Sequence, residues 1–242
     1  MAAAGERDAG ADTSWLGVMR LGGAAAIVVL AMIPIQAAVF LLHPPPSTVE
    51  GLFEEFQQQP LLGLLDLDLL LTLDYLVMIP FYLALYASLR RVAQAWGLLA
   101  LVVGLISVTL FVVTREATFS MWMLSERFAD APASEQAALL ASGETLMTLY
   151  DGGTFATSYV LGAVSTLVFS ATMWRQRVFG RAPGIVGVVT GMTMLVPANV
   201  GAVGLVIAML SLIPTAVWLV LLARSLLRAR RAAATSEHAR FT

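Results

Sequence analysis

The chain has 242 residues, of which 59% are apolar and only 12% charged, and its formal net charge is −2. A mean hydropathy of +0.83 is too high for a chain built for water, and the apolar stretches are too many for a single anchor, so lipid is the solvent of most of the molecule. There is no cysteine and no lysine, which excludes disulfides, thiolate metal sites, iron–sulfur clusters, Cys nucleophiles, P-loop chemistry and lysine Schiff bases.

A membrane-spanning helix needs about 20 apolar residues, and the hydropathy resolves into six such segments. The first, Met19–Leu42, is too long for a cleavable signal peptide, and no small-residue cleavage site precedes the Pro44-Pro-Pro46 that follows it. Next, Ser47-Thr-Val-Glu50 has capping-box spacing, and Val49, Leu52, Phe53 and Phe56 recur at helical intervals until Pro60. A short amphipathic helix is expected there. The second span, Leu61–Leu89, carries Asp66, Asp68 and Asp74, and the third is Trp96–Val113. The long loop after it holds Phe119, Met121, Trp122, Met123, Leu124 and Phe128, then a helix start at Ala131-Pro-Ala-Ser134 with Leu139, Leu140, Leu146, Met147 and Tyr150 behind it. The two outer loops together can form an apolar cap, resting on headgroups or closing a cavity.

The fourth span, Phe155–Trp174, follows Thr154 and continues its four-residue repeat through Ser158, Gly162, Thr166 and Ser170. Gly187 and Gly191 form a G-x-x-x-G in the fifth, Gly184–Asn199, and such small residues let helices approach closely in lipid. The sixth, Gly201–Leu222, is nearly continuous with the fifth, and Pro197-Ala-Asn-Val-Gly201 supplies a tight hairpin turn between them. The expected fold is therefore an all-α polytopic membrane bundle of six transmembrane helices, with short amphipathic helices in two outer loops. It divides into an N-terminal tail (1–18), a membrane domain (19–226) and a basic tail (227–242).

Arginine distribution orients this bundle. Arg7, Arg20, Arg90, Arg91, Arg175, Arg177, Arg181, Arg224, Arg228, Arg230, Arg231 and Arg240 all fall on one side, and only Arg115 and Arg127 on the other. Both termini are accordingly expected in the cytoplasm of a bacterial cell, with the protein in its cytoplasmic membrane. The Arg224–Arg231 cluster, placed just after a span, reads as a topology anchor on anionic lipid, not as a nucleic-acid site.

The second span holds most of the candidate site residues. Asp68, Thr72, Tyr75, Ile79, Tyr82 and Tyr86 alternate at intervals of four and three, which puts an acid, a hydroxyl and three phenols on one helix face directed into the bundle. Asp74 lies roughly 120° around the helix from Asp68. If the span begins at Leu61, Asp74 is near the bilayer midplane; if it begins nearer Leu67, Asp74 is only about two turns deep. No Lys, Arg or His lies in the interior of any span, so Asp74 is expected to be neutral or hydrogen-bonded. Two readings of it stay open: a proton or cation site with Tyr75, Tyr82 and Thr72 along the path, or a carboxyl hydrogen-bonded to a neighbouring helix. Asp66 and Asp68 lie level with Arg115 and are expected to pair with it at the outer end.

No catalytic residue set, metal site or cofactor site emerges. His43 and His238 are the two histidines, and neither begins an H-x-x-x-H or H-E-x-x-H pattern. No G-x-S-x-G accompanies His43, and an aspartyl enzyme would need a second deep acid facing Asp74.

Several short segments carry a family resemblance. They are Pro44-Pro-Pro-Ser-Thr48, Leu61-Leu-Gly-Leu-Leu-Asp-Leu-Asp68, Phe119-Ser-Met121, Leu124-Ser-Glu-Arg-Phe-Ala129, Gly152-Gly-Thr-Phe155, Ser158-Tyr-Val-Leu-Gly162 and Leu210-Ser-Leu-Ile-Pro214 with Trp218. In these the chain resembles a bacterial family of uncharacterised six-helix membrane proteins, similar to the one known as domain of unknown function 4386. The resemblance runs from the first span to Arg231 and implies six spans with large outer loops; it implies no site residue.

The functional expectation is a structural or accessory membrane protein whose outer cap binds lipid, a protein partner or a second copy of the chain. A small-solute or proton-coupled carrier using Asp74 is the alternative, and an intramembrane enzyme a remote one. The orientation has a direct test: single cysteines at Ser47 and Ser142 should react with an impermeant thiol reagent on intact cells, whereas one at Ser236 should not. The opposite pattern would invert the topology.

Overall fold

The computed structural model describes the backbone from Ala2 to Phe241 and the side chains from Trp15 to Arg228; Arg7, Arg230, Arg231, His238 and Arg240 have side chains outside that range. In chain order the helices are α1 (Ala2–Leu42), α2 (Val49–Gln58), α3 (Pro60–Asp66), α4 (Leu69–Leu89), α5 (Gln94–Thr114), α6 (Glu116–Asp130), α7 (Ala133–Tyr150), α8 (Gly153–Gln176), α9 (Ala182–Thr193) and α10 (Gly201–Phe241). Among the described residues there is no sheet, only an isolated bridge between Val178 and Gly180.

Five stretches are long and apolar enough to cross a bilayer: Trp15–Leu42, Leu69–Leu89, Gln94–Asp130, Ala133–Gln176 and Gly201–Arg228. The molecule is thus a multi-pass helical membrane protein. Its outer surface agrees, since Ile27, Val28, Ile35, Leu41, Val203, Val206, Leu210 and Ile213 are all exposed, far more contiguous apolar surface than water tolerates. The helices form a ring in which α1 packs on α4, α4 on α5, α5 on α8, α8 on α9, α9 on α10, and α10 back on α1. One end of the ring carries α2, α3, α6 and α7 and is called here the cap end; the terminal end carries both chain termini.

The expected fifth span is cut short. Its helix, α9, stops at Thr193 rather than Asn199 and has 12 residues, a rise of about 18 Å against a hydrocarbon core of about 30 Å. Pro197 is consistent with this end but does not alone dictate it, since α1, α4 and α10 run on through Pro34, Pro80 and Pro214. In a continued helix the Pro197 ring would strike the carbonyl four residues back, that of Thr193, which is where the helix ends. The chain then turns through Met194–Val200, where Val200 N–H donates to Pro197 O at 3.2 Å, and Asn199 Nδ2 donates to Asp151 O at the cap end at 2.6 Å.

The second expected span is broken as well. α3 ends at Asp66, Asp68 takes a left-handed backbone with φ of 64°, and α4 starts at Leu69. Aspartate tolerates that conformation better than most residues, and tertiary bonds fix the break: Thr118 Oγ1 donates to Leu67 O at 2.9 Å. Asp74 consequently sits five residues into α4, about 7.5 Å along its axis, and not at the middle of a span.

The loops between spans fold on one another. α2 is capped one residue later than the expected Ser47, by Thr48, and the Thr48 hydroxyl accepts from Gly51 N–H at 3.1 Å. Leu52, Phe53 and Phe56 are buried against Leu67, Ala117, Met121 and Tyr150, with Trp122, Phe128, Leu140, Leu146 and Met147 around them. Phe53 and Phe128 have ring centres 5.2 Å apart. Two residues expected in this cap face outward instead: Phe119 is 43% and Met123 59% exposed.

Small residues draw α8 onto its neighbours. Ser107 Oγ donates to Ser158 O and Ser165 Oγ to Ala100 O, both at 2.7 Å, with Gly104 and Gly162 at the crossing. On the other face Gly184, Gly187 and Gly191 meet Trp174, Ser170 and Leu167 of α8. Thr154 stands apart from this stripe and is exposed. A Cβ at Gly187 would run into Ser170 Oγ and Trp218 Nε1, so Gly187→Val should cost about 1–3 kcal/mol through overpacking. Gly153→Ala, where a Cβ meets nothing within 4 Å, should leave stability within about 0.5 kcal/mol of wild type. Unfolding in mild detergent measures both.

Candidate functional site

Among the described residues Arg115 is the most deeply buried charge, at 1% exposure, in the single-residue turn between α5 and α6. A lone guanidinium so buried would be very costly. Here all its nitrogens find partners: Nη1 donates to Asp68 Oδ2 at 2.7 Å, Nη2 to Tyr150 O at 3.1 Å and Nε to Thr114 Oγ1 at 3.1 Å. Its flat faces meet aromatic rings, with Cζ 3.8 Å from the centre of Tyr150, 4.7 Å from Phe111 and 5.2 Å from Phe155. Tyr150 Oη completes the arrangement by donating to the same Asp68 oxygen at 2.6 Å. Charge-assisted bonds and cation–π contacts of this kind are the strong members of their classes.

Asp66 does not join this pair. Its carboxyl lies instead beside Glu55 of α2, with His43 close enough to exert a charge effect. Neither Asp66 oxygen, nor Glu55 Oε2, has another hydrogen-bond partner, so a proton shared between the two carboxyls is what satisfies them. Burial and the neighbouring Asp66 charge push Glu55 up to about 7, and burial raises Asp66 too.

Between α1, α4, α8 and α10 lies a cavity of about 430 Å³, within the range of small-molecule sites. Val29, Ile33, Leu205 and Leu212 give it aliphatic walls, and Tyr75, Phe155 and Tyr159 an aromatic side. Asp66, Asp68, Asp74, Gln36 and His43 also line it. Met194 and Ala198 from the non-helical segment after α9 reach it as well, as expected where irregular backbone is held within a membrane. Toward the terminal end the cavity gives way to a packed core containing Phe81, Tyr82, Phe169 and Trp218.

The sequence-nominated residues therefore separate into three groups. Asp68 and Arg115 form the buried pair; Asp66 pairs with Glu55; Asp74 borders the cavity with Oδ1 buried and unpartnered. Tyr75 lines the cavity while stacking on Phe111 at 3.8 Å, whereas Tyr82 lies in the core, stacked on Phe169 at 6.0 Å. Sequence reasoning missed Gln36, Glu55, Tyr150 and Tyr159. Gln36 had a signal, being an amide deep in an apolar run; Nε2 is buried without a partner. Among the described residues no three His, Cys, Asp or Glu side chains are grouped to hold a metal ion.

Fold and cavity define a multi-pass α-helical membrane protein with a chamber between its spans. Compared with family models, curated proteins and solved structures, the chain has no match.

Removing Arg115 strands a buried acid. Arg115→Met should lower unfolding stability by about 3–5 kcal/mol, and adding Asp68→Asn should recover part of that loss, as read by a double-mutant cycle in detergent. The Glu55–Asp66 pair gives a pH dependence of known sign. Glu55 holds its proton more tightly folded than unfolded, so its contribution is present below about 4.5 and lost as pH rises through about 7. Cap stability should therefore fall over that window in wild type and fall less in Glu55→Gln, measured by thermal unfolding across pH.

Proposed function

We propose that this protein binds an apolar or amphiphilic molecule, drawn from the bilayer or its outer surface, in the chamber beneath the cap. The observation that carries this reading is the cavity itself, aliphatic over most of its wall and polar at a few points, which is the usual composition of a small-molecule site. The cap helices cover the neighbouring end of the bundle, so lipid is both solvent and the first candidate ligand. In this reading α9 and the segment after it make a sixth crossing. That puts both termini in the cytoplasm of a bacterial cell and the cap outside, as the arginine asymmetry suggests, and agrees with the resemblance to the uncharacterised six-helix family. A homo-oligomer or a membrane protein partner fits the same architecture.

A carrier using Asp74 is the second reading, supported by the position of Asp74 on the cavity wall. Transport would require the core of Phe81, Tyr82, Phe169 and Trp218 to part on the terminal side.

Filling the chamber tests the binding reading. Wild type purified from membranes should retain an amphiphile detectable by extraction and mass spectrometry, and Ala37→Trp, which places an indole at the cavity wall, should retain several-fold less while staying folded. Equal retention by both, or none by either, would overturn the proposal.

A further inference from the structure

The walls of the chamber constrain its ligand further, given the binding reading above. Three acids line it, and Asp68 is already neutralised by Arg115 at 2.7 Å. Of the remaining two, Asp66 shares a proton with Glu55, whereas Asp74 Oδ1 is buried without a hydrogen-bond donor among the described residues. Among the described residues His43 is the only basic side chain on the wall, and it lies close enough to Asp66 to act on it. Asp74 Oδ1 is thus left as an acceptor that no described residue satisfies.

The same region is aromatic. Tyr75 follows Asp74 in sequence, and Tyr75, Phe155 and Tyr159 all border the cavity. Ring faces attract cations, the more so away from water, whereas an anionic head would face two carboxylates and electron-rich rings. Across the cavity, α1 and α10 contribute mainly hydrocarbon through Val29, Ile33, Leu205 and Leu212, with Gln36, Ser211 and Thr215 as their polar lining residues. One side of the chamber therefore asks for positive charge and N–H donors, and the rest asks for an alkyl chain.

We propose that the chamber is a site for a cationic amphiphile, an alkylammonium whose head is held by Asp74 among Tyr75, Phe155 and Tyr159 while its chain lies between α1 and α10. Asp66, nearer the cap, shares one proton with Glu55, and that pair keeps a single negative charge at the same wall. The amide oxygen of Gln36 can accept a further N–H from the head.

The test uses the full chain in phosphatidylcholine nanodiscs with three ligands of equal chain length: dodecylammonium, dodecanol and dodecanoate. Apparent affinities come from the ligand-dependent rise in unfolding temperature. Wild type should prefer dodecylammonium over dodecanol by about tenfold or more, the worth of a hydrogen bond to a charged group, and dodecanoate should bind most weakly. Asp74→Asn should bring dodecylammonium down to the level of dodecanol, and Asp74→Glu should keep the preference. If Asp74→Asn fails to fold, the ranking in wild type and a smaller preference in Asp66→Asn carry the same information. Equal binding of dodecanol and dodecylammonium in wild type would overturn the assignment of the head while leaving the chamber as a binding site. Preference for dodecanoate would reverse the charge assignment, and no response to any of the three would remove the binding reading itself.

Discussion

The Arg115–Asp68–Tyr150 cluster is the constraint on which the cap end depends. It lies where three breaks in helical structure meet: between α3 and α4 at Asp68, between α5 and α6 at Arg115, and between α7 and α8 just after Tyr150. Each break exposes backbone polar groups that lipid cannot satisfy. One guanidinium ties the three breaks together, bonding the Tyr150 carbonyl, the Asp68 carboxylate and the Thr114 hydroxyl while its faces rest on three rings. A buried pair of this kind contributes little net stability compared with hydrocarbon in its place, but breaking it is expensive. Its role here is registry, fixing which turns lie beside one another.

That registry decides where the bundle is dense and where it is hollow. α5, α8 and α9 pack through Gly104, Gly162, Gly184, Gly187 and Gly191, with serine hydroxyls donating across the helix crossings. On the opposite side α1 and α10 carry large aliphatic residues whose spacing leaves room at the cap end, and they close on each other only nearer the termini, at Ala26, Leu222 and Leu226. The break at Asp68 turns the start of α4 so that Asp74 and Tyr75 border this room. A chamber with a densely packed wall, a lipid-facing aliphatic wall and one unpartnered acid, Asp74, follows from those placements.

Much of this was legible in the sequence, for identifiable reasons. Hydropathy alone locates α1, α4, α5, α8 and α10, because spans of that length have few alternatives in lipid. The small-residue periodicity marks the packing faces of α8 and α9 without saying which helices they meet, and the helical spacing of Leu52, Phe53 and Phe56 marks the buried face of α2. What escaped were features set by tertiary contacts. Leu61–Leu89 reads as one helix because nothing local in Leu67-Asp68 demands a break; Thr118 and Arg115, about fifty residues away in sequence, impose it. Likewise Asp66 could be placed level with Arg115 but not assigned to Glu55, since which acid faces the arginine depends on the left-handed turn at Asp68. Pro197 reads as a turn between two full helices, whereas α9 already ends at Thr193.

The coupling of the three helix breaks through one arginine is the central claim, and amide hydrogen exchange on the protein in nanodiscs tests it most directly. If Arg115 holds the breaks in register, Arg115→Met should increase exchange together in residues 60–72, 112–120 and 147–155, while the α5–α8 crossing at Ala100, Ser107 and Ser165 stays as protected as in wild type. Faster exchange confined to the turn around residue 115, with the other two breaks unchanged, would show that each is stabilised on its own and that Arg115 does not organise the cap end.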